Sequence, residues 1–311
     1  MNRQQRQHLR SLCRSVSWEA DMAAHSTFRS GGVVEALVEV TDEQELIRLL
    51  RWLAREEIPW QVIGGGSNIL VATRRHCGVF IRLRSSVQEL SGSAGPTIDG
   101  NSLVRVRVPA GCSLAAVVGW CTRNALAGLS FMAGIPGSIG GAVRMNAGAF
   151  GHSIGERIES VRCVSPQGQV REIPRTEISF AYRTTRFPGE EGGDKAVITA
   201  VLLNLTPGEH EQIAEHCRCI IGQRRRKQPR GVASAGSFFK NPAGDFAGRL
   251  IENAGLKGLA QGKAMVSPQH ANFIVNTGGA DPEDIVLLME KVRHAVWQQS
   301  GVLLEPEVRI L

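Results

Sequence analysis

The sequence predicts an α+β fold in two parts, with a boundary near residue 206. Two observations carry this. Short Val-rich runs alternate with amphipathic stretches as far as Leu205 and stop at Pro207-Gly208, after which the chain changes character. Glycine is abundant, at 35 of 311 residues, and it clusters at points where the backbone must turn sharply or approach something closely.

Val33 to Val40 reads as a strand. Thr41 is expected to cap the next helix, with Gln44 three residues on as in a capping box, and Leu46, Leu49, Leu50 and Leu53 form the apolar stripe. Trp60 to Ile63 is a second strand, running into Gly64-Gly65-Gly66-Ser67-Asn68. Residues 79–83 and 103–108 are further strands; in the latter Val104, Val106 and Val108 alternate with Arg105 and Arg107, as in a strand buried on one face. Ser113 caps a helix reaching about Asn124. The stretch 134–151 holds six glycines and is not expected to form an ordinary helix. Residues 160–164, 169–173 and 196–205 are strand-like. The first domain is therefore 1–206, in two α+β subdomains, and the second 207–311.

The second domain opens with a polar helix ending in Arg224-Arg225-Arg226-Lys227, followed by a loop over 230–244, a helix near 246–254 and a strand from Phe273 to Asn276. Asp281 caps a helix with Pro282 at its first position and Ile285, Leu288, Val292 and Val296 along one face. A final strand, 304–311, carries Glu307.

A net charge of +7 points to anionic partners: nucleic acid, acidic lipid or phosphorylated metabolites. The basic run ends a helix, where cations favour the dipole, and no aromatic interleaves with it; a nucleic-acid platform is not expected. Seven cysteines, an odd number without a Cys-x-x-Cys pair, argue against a disulfide framework or a zinc site and fit a reducing cytoplasm; no metal is expected. Cys217 and Cys219 lie two apart on a helix and do not share a face. No apolar run is long enough to span a bilayer, and the polar N-terminus is not a secretory signal.

The triple glycine after a strand resembles a phosphate-cradling turn. It lacks the Gly-Lys-Ser/Thr of a Walker loop and the spacing of a dinucleotide fingerprint, and alone it is equally a tight structural turn. The second glycine-rich stretch favours a ligand. An extended cofactor with a pyrophosphate and a flat ring would explain both.

These loops belong to a wider set of motifs. Thr27-Phe28-Arg29-Ser30-Gly31-Gly32, the triple-glycine loop and Gly134-Ile135-Pro136-Gly137-Ser138-Ile139-Gly140-Gly141 come first, the last continuing into Met145-Asn146-Ala147-Gly148-Ala149. Tyr182-Arg183, Gly236-Ser237-Phe238-Phe239-Lys240-Asn241-Pro242, His270 to Asn276, and Glu305-Pro306-Glu307-Val308-Arg309 follow. In this order they resemble the UDP-N-acetylenolpyruvoylglucosamine reductase (UDP-N-acetylmuramate dehydrogenase) family, from about Thr27 to Arg309. The resemblance implies an FAD-binding fold of the vanillyl-alcohol oxidase and cresol methylhydroxylase class, with a C-terminal α+β substrate domain. It implies noncovalent FAD, NADPH as co-substrate, a UDP-sugar substrate, a cytoplasmic monomer, and a role in peptidoglycan precursor synthesis. NADPH would reduce the flavin; the enolpyruvyl sugar would then take hydride at C3 and a proton at C2.

By the same resemblance Ser237 is the proton donor to C2, Arg183 the cation that stabilises the enolate, and Glu307 the acid that supports it. The cofactor contacts would come from Gly64, Gly65, Gly66, Ser67, Asn68, Gly134, Ile135, Pro136, Gly137, Ser138, Gly140, Gly141, Asn146 and Gly148, and substrate contacts from Tyr182, Lys240 and Asn241. The plainer readings stand beside these. A serine after glycine is ordinarily a turn residue. Arg186 competes with Arg183, and Glu305 shares a strand face with Glu307. Lys240 and Asn241 are equally able to shape their loop, and His270 and Asn272 to be structural. His25-Ser26, Val33-Val34, Ala181 and Thr185 depart from the family pattern. The short span from Arg183 to Ser237 leaves little room for the tyrosine-bearing loop of the family's first type, and points to the second, short-loop type.

Overall fold

A computed structural model describes residues 1–98, 101–189 and 196–311. The chain forms two compact units, one of Met1–Ser17, Ala36–Gly64 and Gly78–Gly222, the other of Trp18–Glu35, Gly65–Cys77 and Gln223–Leu311. Both mix helices and strands, so the predicted α+β class holds.

The first unit is built on an antiparallel sheet whose strands run in the order Val170–Pro174, Ile158–Val164, Val197–Pro207, Asn101–Pro109, Ser91–Ile98. The Val/Arg alternation is realised here. Val106 and Val108 are fully buried, while Arg105 pairs with Glu159 at 2.7 Å and Arg107 with Glu172 at 3.5 Å. Helix Leu114–Arg123, capped by Ser113 through the Ala116 amide, packs into the same core. Strand Trp60–Ile63 pairs in parallel with residues 79–82 and delivers the chain to Gly64.

Two local expectations change, and one helix is added. Helix Glu43–Arg55 is capped by Asp42, which accepts from the Gln44 amide, and not by Thr41. A carboxylate is the stronger partner for the positive helix end. The glycine-rich stretch does contain a helix, Ile139–Arg144, only six residues long and begun by the side chain of Ser138. The polar start of the chain folds into helix Arg3–Leu12 through a capping box between Asn2 and Gln5.

The second unit has a sheet of four short strands, Ala233–Ser234, Ile274–Asn276, Ala264–Val266 and Ala260–Gln261, in that order. Helix Pro282–Ser300 starts at Asp281 as the sequence predicts and buries Ile285, Leu288, Val292 and Val296. These pack with Phe28, Phe238, Phe239, Leu250 and Ile251 into one core. The expected strand 304–311 is only Arg309–Ile310, pairing in parallel with Ile69–Leu70. Pro306 interrupts the rest, lacking the N–H that a ladder requires, and its own strand-type pairing is an isolated bridge to Phe239.

Candidate active site

In the first unit Gly64, where the triple-glycine motif begins, lies beside Ser138 of the second glycine-rich stretch. A Cβ at Gly64 would fall 2.6 Å from the Ser138 hydroxyl oxygen, so a side chain at 64 would fill the space between the loops. Gly134 and Gly137 take left-handed φ values of 80° and 120°, which favour glycine. Gly140 answers to packing: its N–H donates to the Ala110 carbonyl at 2.9 Å, and a Cβ there would lie 3.0 Å from the Ala110 methyl. The Ile135 amide donates to Met132, and that of Gly141 to Ser138 Oγ. Gly65 is exposed. The space beside Gly64 and Ser138, which a side chain at 64 would fill, suits a cofactor that the backbone must approach closely.

Beyond helix Ile139–Arg144 the chain turns at Asn146, with φ 40° and the side chain buried. Its Nδ2 donates to the Ala181 carbonyl at 3.0 Å and its Oδ1 accepts from the Gly155 amide at 3.1 Å. Both ends of the amide thus hold backbone. The first of these fixes a tight hairpin in which Ala181 pairs with Thr184 and only Tyr182-Arg183 lies between. Thr185 ties the hairpin's second strand to the Val143 carbonyl at 2.5 Å. Arg183 has φ 55°, a left-handed conformation that costs an ordinary residue about 1–2 kcal/mol. Its Nη1 donates to the Gly148 carbonyl at 2.9 Å, and its guanidinium carbon lies 5.3 Å from the centre of the Tyr182 ring. Tyr182 is 53% exposed, Arg183 half-buried and Arg186 exposed.

In the second unit the structure brings Ser237 and Glu307 together through one residue. Ser237 follows Gly236, whose φ is 80°, and precedes Phe238 and Phe239, whose rings are fully buried. The Phe238 carbonyl accepts the Glu307 amide at 2.8 Å. Asn68 donates from Nδ2 to the Glu307 carbonyl at 3.1 Å, and its own carbonyl accepts from Arg309. Lys240 donates to Glu305 from its backbone at 2.8 Å and from Nζ at 3.1 Å. Asn241 Oδ1 accepts the first amide of helix Ala247–Asn253. The two glutamates therefore differ: Glu305 is exposed and ion-paired, Glu307 half-buried.

Asn272, whose role the sequence left open, is buried and holds Phe239 with both ends of its amide: Oδ1 accepts from Phe239 N at 2.9 Å and Nδ2 donates to Phe239 O at 2.8 Å. His270 accepts the Asn272 amide on Nδ1 at 3.3 Å and stacks edge-on against Phe273. Burial holds the His270 pKa below its ordinary value near 6.5, in keeping with a neutral ring that accepts at Nδ1. Among the described residues no cluster of three or more His, Cys, Asp or Glu has the spacing of a metal site, and no helix is long and apolar enough to cross a membrane. Cys217 is buried and Cys219 exposed, as their spacing on one helix requires.

Residues 34–174 match the FAD binding domain family, and with the glycine cradle they define the class: an FAD-dependent oxidoreductase. Residues 228–311 match the C-terminal domain of UDP-N-acetylenolpyruvoylglucosamine reductase. The reductase of Alkalilimnicola ehrlichii is 40% identical over 94% of this chain and 93% of its own length. Reductase 2 of Symbiobacterium thermophilum is 38% identical over 98% and 96%. The crystal structure of the Thermus caldophilus reductase superimposes with a TM-score of 0.76 at 32% identity, covering 95% of this chain and 98% of that one. The chain belongs to the UDP-N-acetylenolpyruvoylglucosamine reductase family.

Proposed function

We propose that this chain reduces the enolpyruvyl ether of UDP-N-acetylglucosamine enolpyruvate to UDP-N-acetylmuramate, with NADPH as reductant, in the cytoplasmic synthesis of peptidoglycan precursors. The observation that carries this reading is the joining of Ser237 and Glu307 through the Phe238 backbone in the part that matches the family's C-terminal domain. Noncovalent FAD supplies the two-electron carrier between the nicotinamide and the sugar. Gly64 and the Ser138 stretch would hold it; the residues that follow act on the sugar.

Hydride arriving at C3 leaves negative charge at C2, delocalised into the adjacent carboxylate. Arg183 stabilises that charge, and its planar fork suits a carboxylate better than an ammonium would. Ser237 donates the proton to C2, with Lys240 or an ordered water restoring it. Glu307 supports the same intermediate. Asn68 and Asn146, which the resemblance places at the cofactor, also support the reading through backbone: each uses its amide next to one of these groups. Tyr182, Lys240 and Asn241 face the substrate, and the chain works as a monomer of the short-loop type.

The test is stoichiometric. Purified holoenzyme should consume one NADPH per enolpyruvyl sugar, and the product should gain two hydrogens by mass. NADPH consumption that proceeds equally without the sugar, with oxygen as acceptor, would assign the chain to an oxidase chemistry.

A further inference from the structure

We infer that Asn272 is a positioning residue for proton delivery, setting the direction of Ser237 relative to Glu307; this rests on the role proposed for Ser237. Asn272 makes three hydrogen bonds to two consecutive residues. Its carbonyl accepts from Phe238 N at 2.8 Å, its Oδ1 from Phe239 N at 2.9 Å, and its Nδ2 donates to Phe239 O at 2.8 Å. The side chain thus does the work of a neighbouring strand. The one remaining backbone group of this pair, the Phe238 carbonyl, takes the Glu307 amide at 2.8 Å. Every backbone polar group of Phe238 and Phe239 is therefore engaged, and the two proposed catalytic side chains hang from the two ends of the same short network.

The buried rings of Phe238 and Phe239 keep the segment in the core. Ring packing alone does not set the course of the backbone that follows Ser237; the hydrogen bonds to Phe238 and Phe239 do. Without the Asn272 amide, Phe239 N–H and C=O are left buried without partners, and the segment shifts to satisfy them. A displacement near 1 Å at a reacting group lowers rates by about 10²-fold. His270 Nδ1 accepts the Asn272 backbone N–H and Asn272 itself is buried, so the clamp has little freedom to follow the segment.

The experiment compares the two half-reactions by stopped flow in the holoenzyme, in Asn272→Asp, in Ser237→Ala and in the double variant, with bound FAD counted by absorbance. Asn272→Asp keeps volume and the acceptor for Phe239 N–H but loses the donor to Phe239 O. Where it fails to fold, Asn272→Ser is used in its place. The single variant should bind FAD fully, bleach with NADPH at the normal rate, and recolour with the enolpyruvyl sugar about 10²-fold more slowly. In the Ser237→Ala background the same change should add less than about 2-fold, because residues acting as a unit are not additive. Equal slowing of both half-reactions, or the same factor with and without Ser237, overturns the inference while the proposed function stands. Recolouring untouched by Ser237→Ala overturns the proposed role of Ser237, and this inference with it.

Discussion

The hairpin that carries Arg183 and the loop that carries Ser237 are each fixed by a buried asparagine, but the physics differs. Asn146 grips one carbonyl, Ala181, and leaves Arg183 at a hairpin tip in a left-handed conformation. Asn272 holds both the N–H and the C=O of one residue, Phe239, and two buried aromatic rings anchor the same segment. A cation that stabilises spread-out charge acts over a range of positions, and a strained tip is tolerable. A proton donor must sit within hydrogen-bond reach of one carbon's developing charge, and its support is correspondingly rigid.

The largest expected effect lies on the rigid side. Ser237→Ala should slow recolouring by the enolpyruvyl sugar at least ~10²-fold and leave bleaching by NADPH near normal. Equal loss in both half-reactions would reduce Ser237 to a turn residue. At the strained tip, Arg183→Gly should lower turnover nearly as far with little loss of stability. Relief of about 1 kcal/mol of left-handed strain offsets the lost bond to Gly148. A thermal midpoint within about 3 °C of the parent is expected, and a larger drop would remove strain from the account. Arg183→Lys, which keeps charge without the fork, should fall between parent and glycine.

Smaller effects separate the glutamates. Glu307→Gln should impair the sugar half-reaction. Glu305→Gln should matter less, since an exposed pair such as Glu305–Lys240 contributes about 0–1 kcal/mol. A more damaging Glu305 variant would reverse the assignment. The smallest effect concerns His270, whose pKa burial depresses in the fold. The unfolded chain then binds the proton more readily, so stability is full above pH 6.5 and declines as pH falls from there toward the folded-state pKa. Urea midpoints across this range should flatten in His270→Gln. An unchanged slope would show that other groups set the acid sensitivity.

The difference between the two regions also explains what the sequence discloses. The Ser113 and Asp281 caps, the leucine stripe of helix Glu43–Arg55 and the Val/Arg strand are local patterns, and each could be read directly. The motifs carrying Ser237, Arg183 and Glu307 are readable because they resemble a family. The Asn272 clamp joins residues 33 positions apart through side-chain-to-backbone bonds, and no local period records it. Asn146 and Asn68 lie inside motifs that suggest a cofactor, and only the fold shows their amides engaged with backbone. Thr41 and Asp42 are neighbouring cap residues, and composition does not choose between them. Pro306 breaks the strand that the alternation of Glu305 and Glu307 suggests.

The most direct test of the account is a two-step stopped-flow record of the parent holoenzyme. NADPH should bleach the flavin absorbance without the sugar present, and anaerobic addition of UDP-N-acetylglucosamine enolpyruvate should restore it in full. Flavin that NADPH cannot reduce, or that stays bleached when the enolpyruvyl sugar is added, would contradict it.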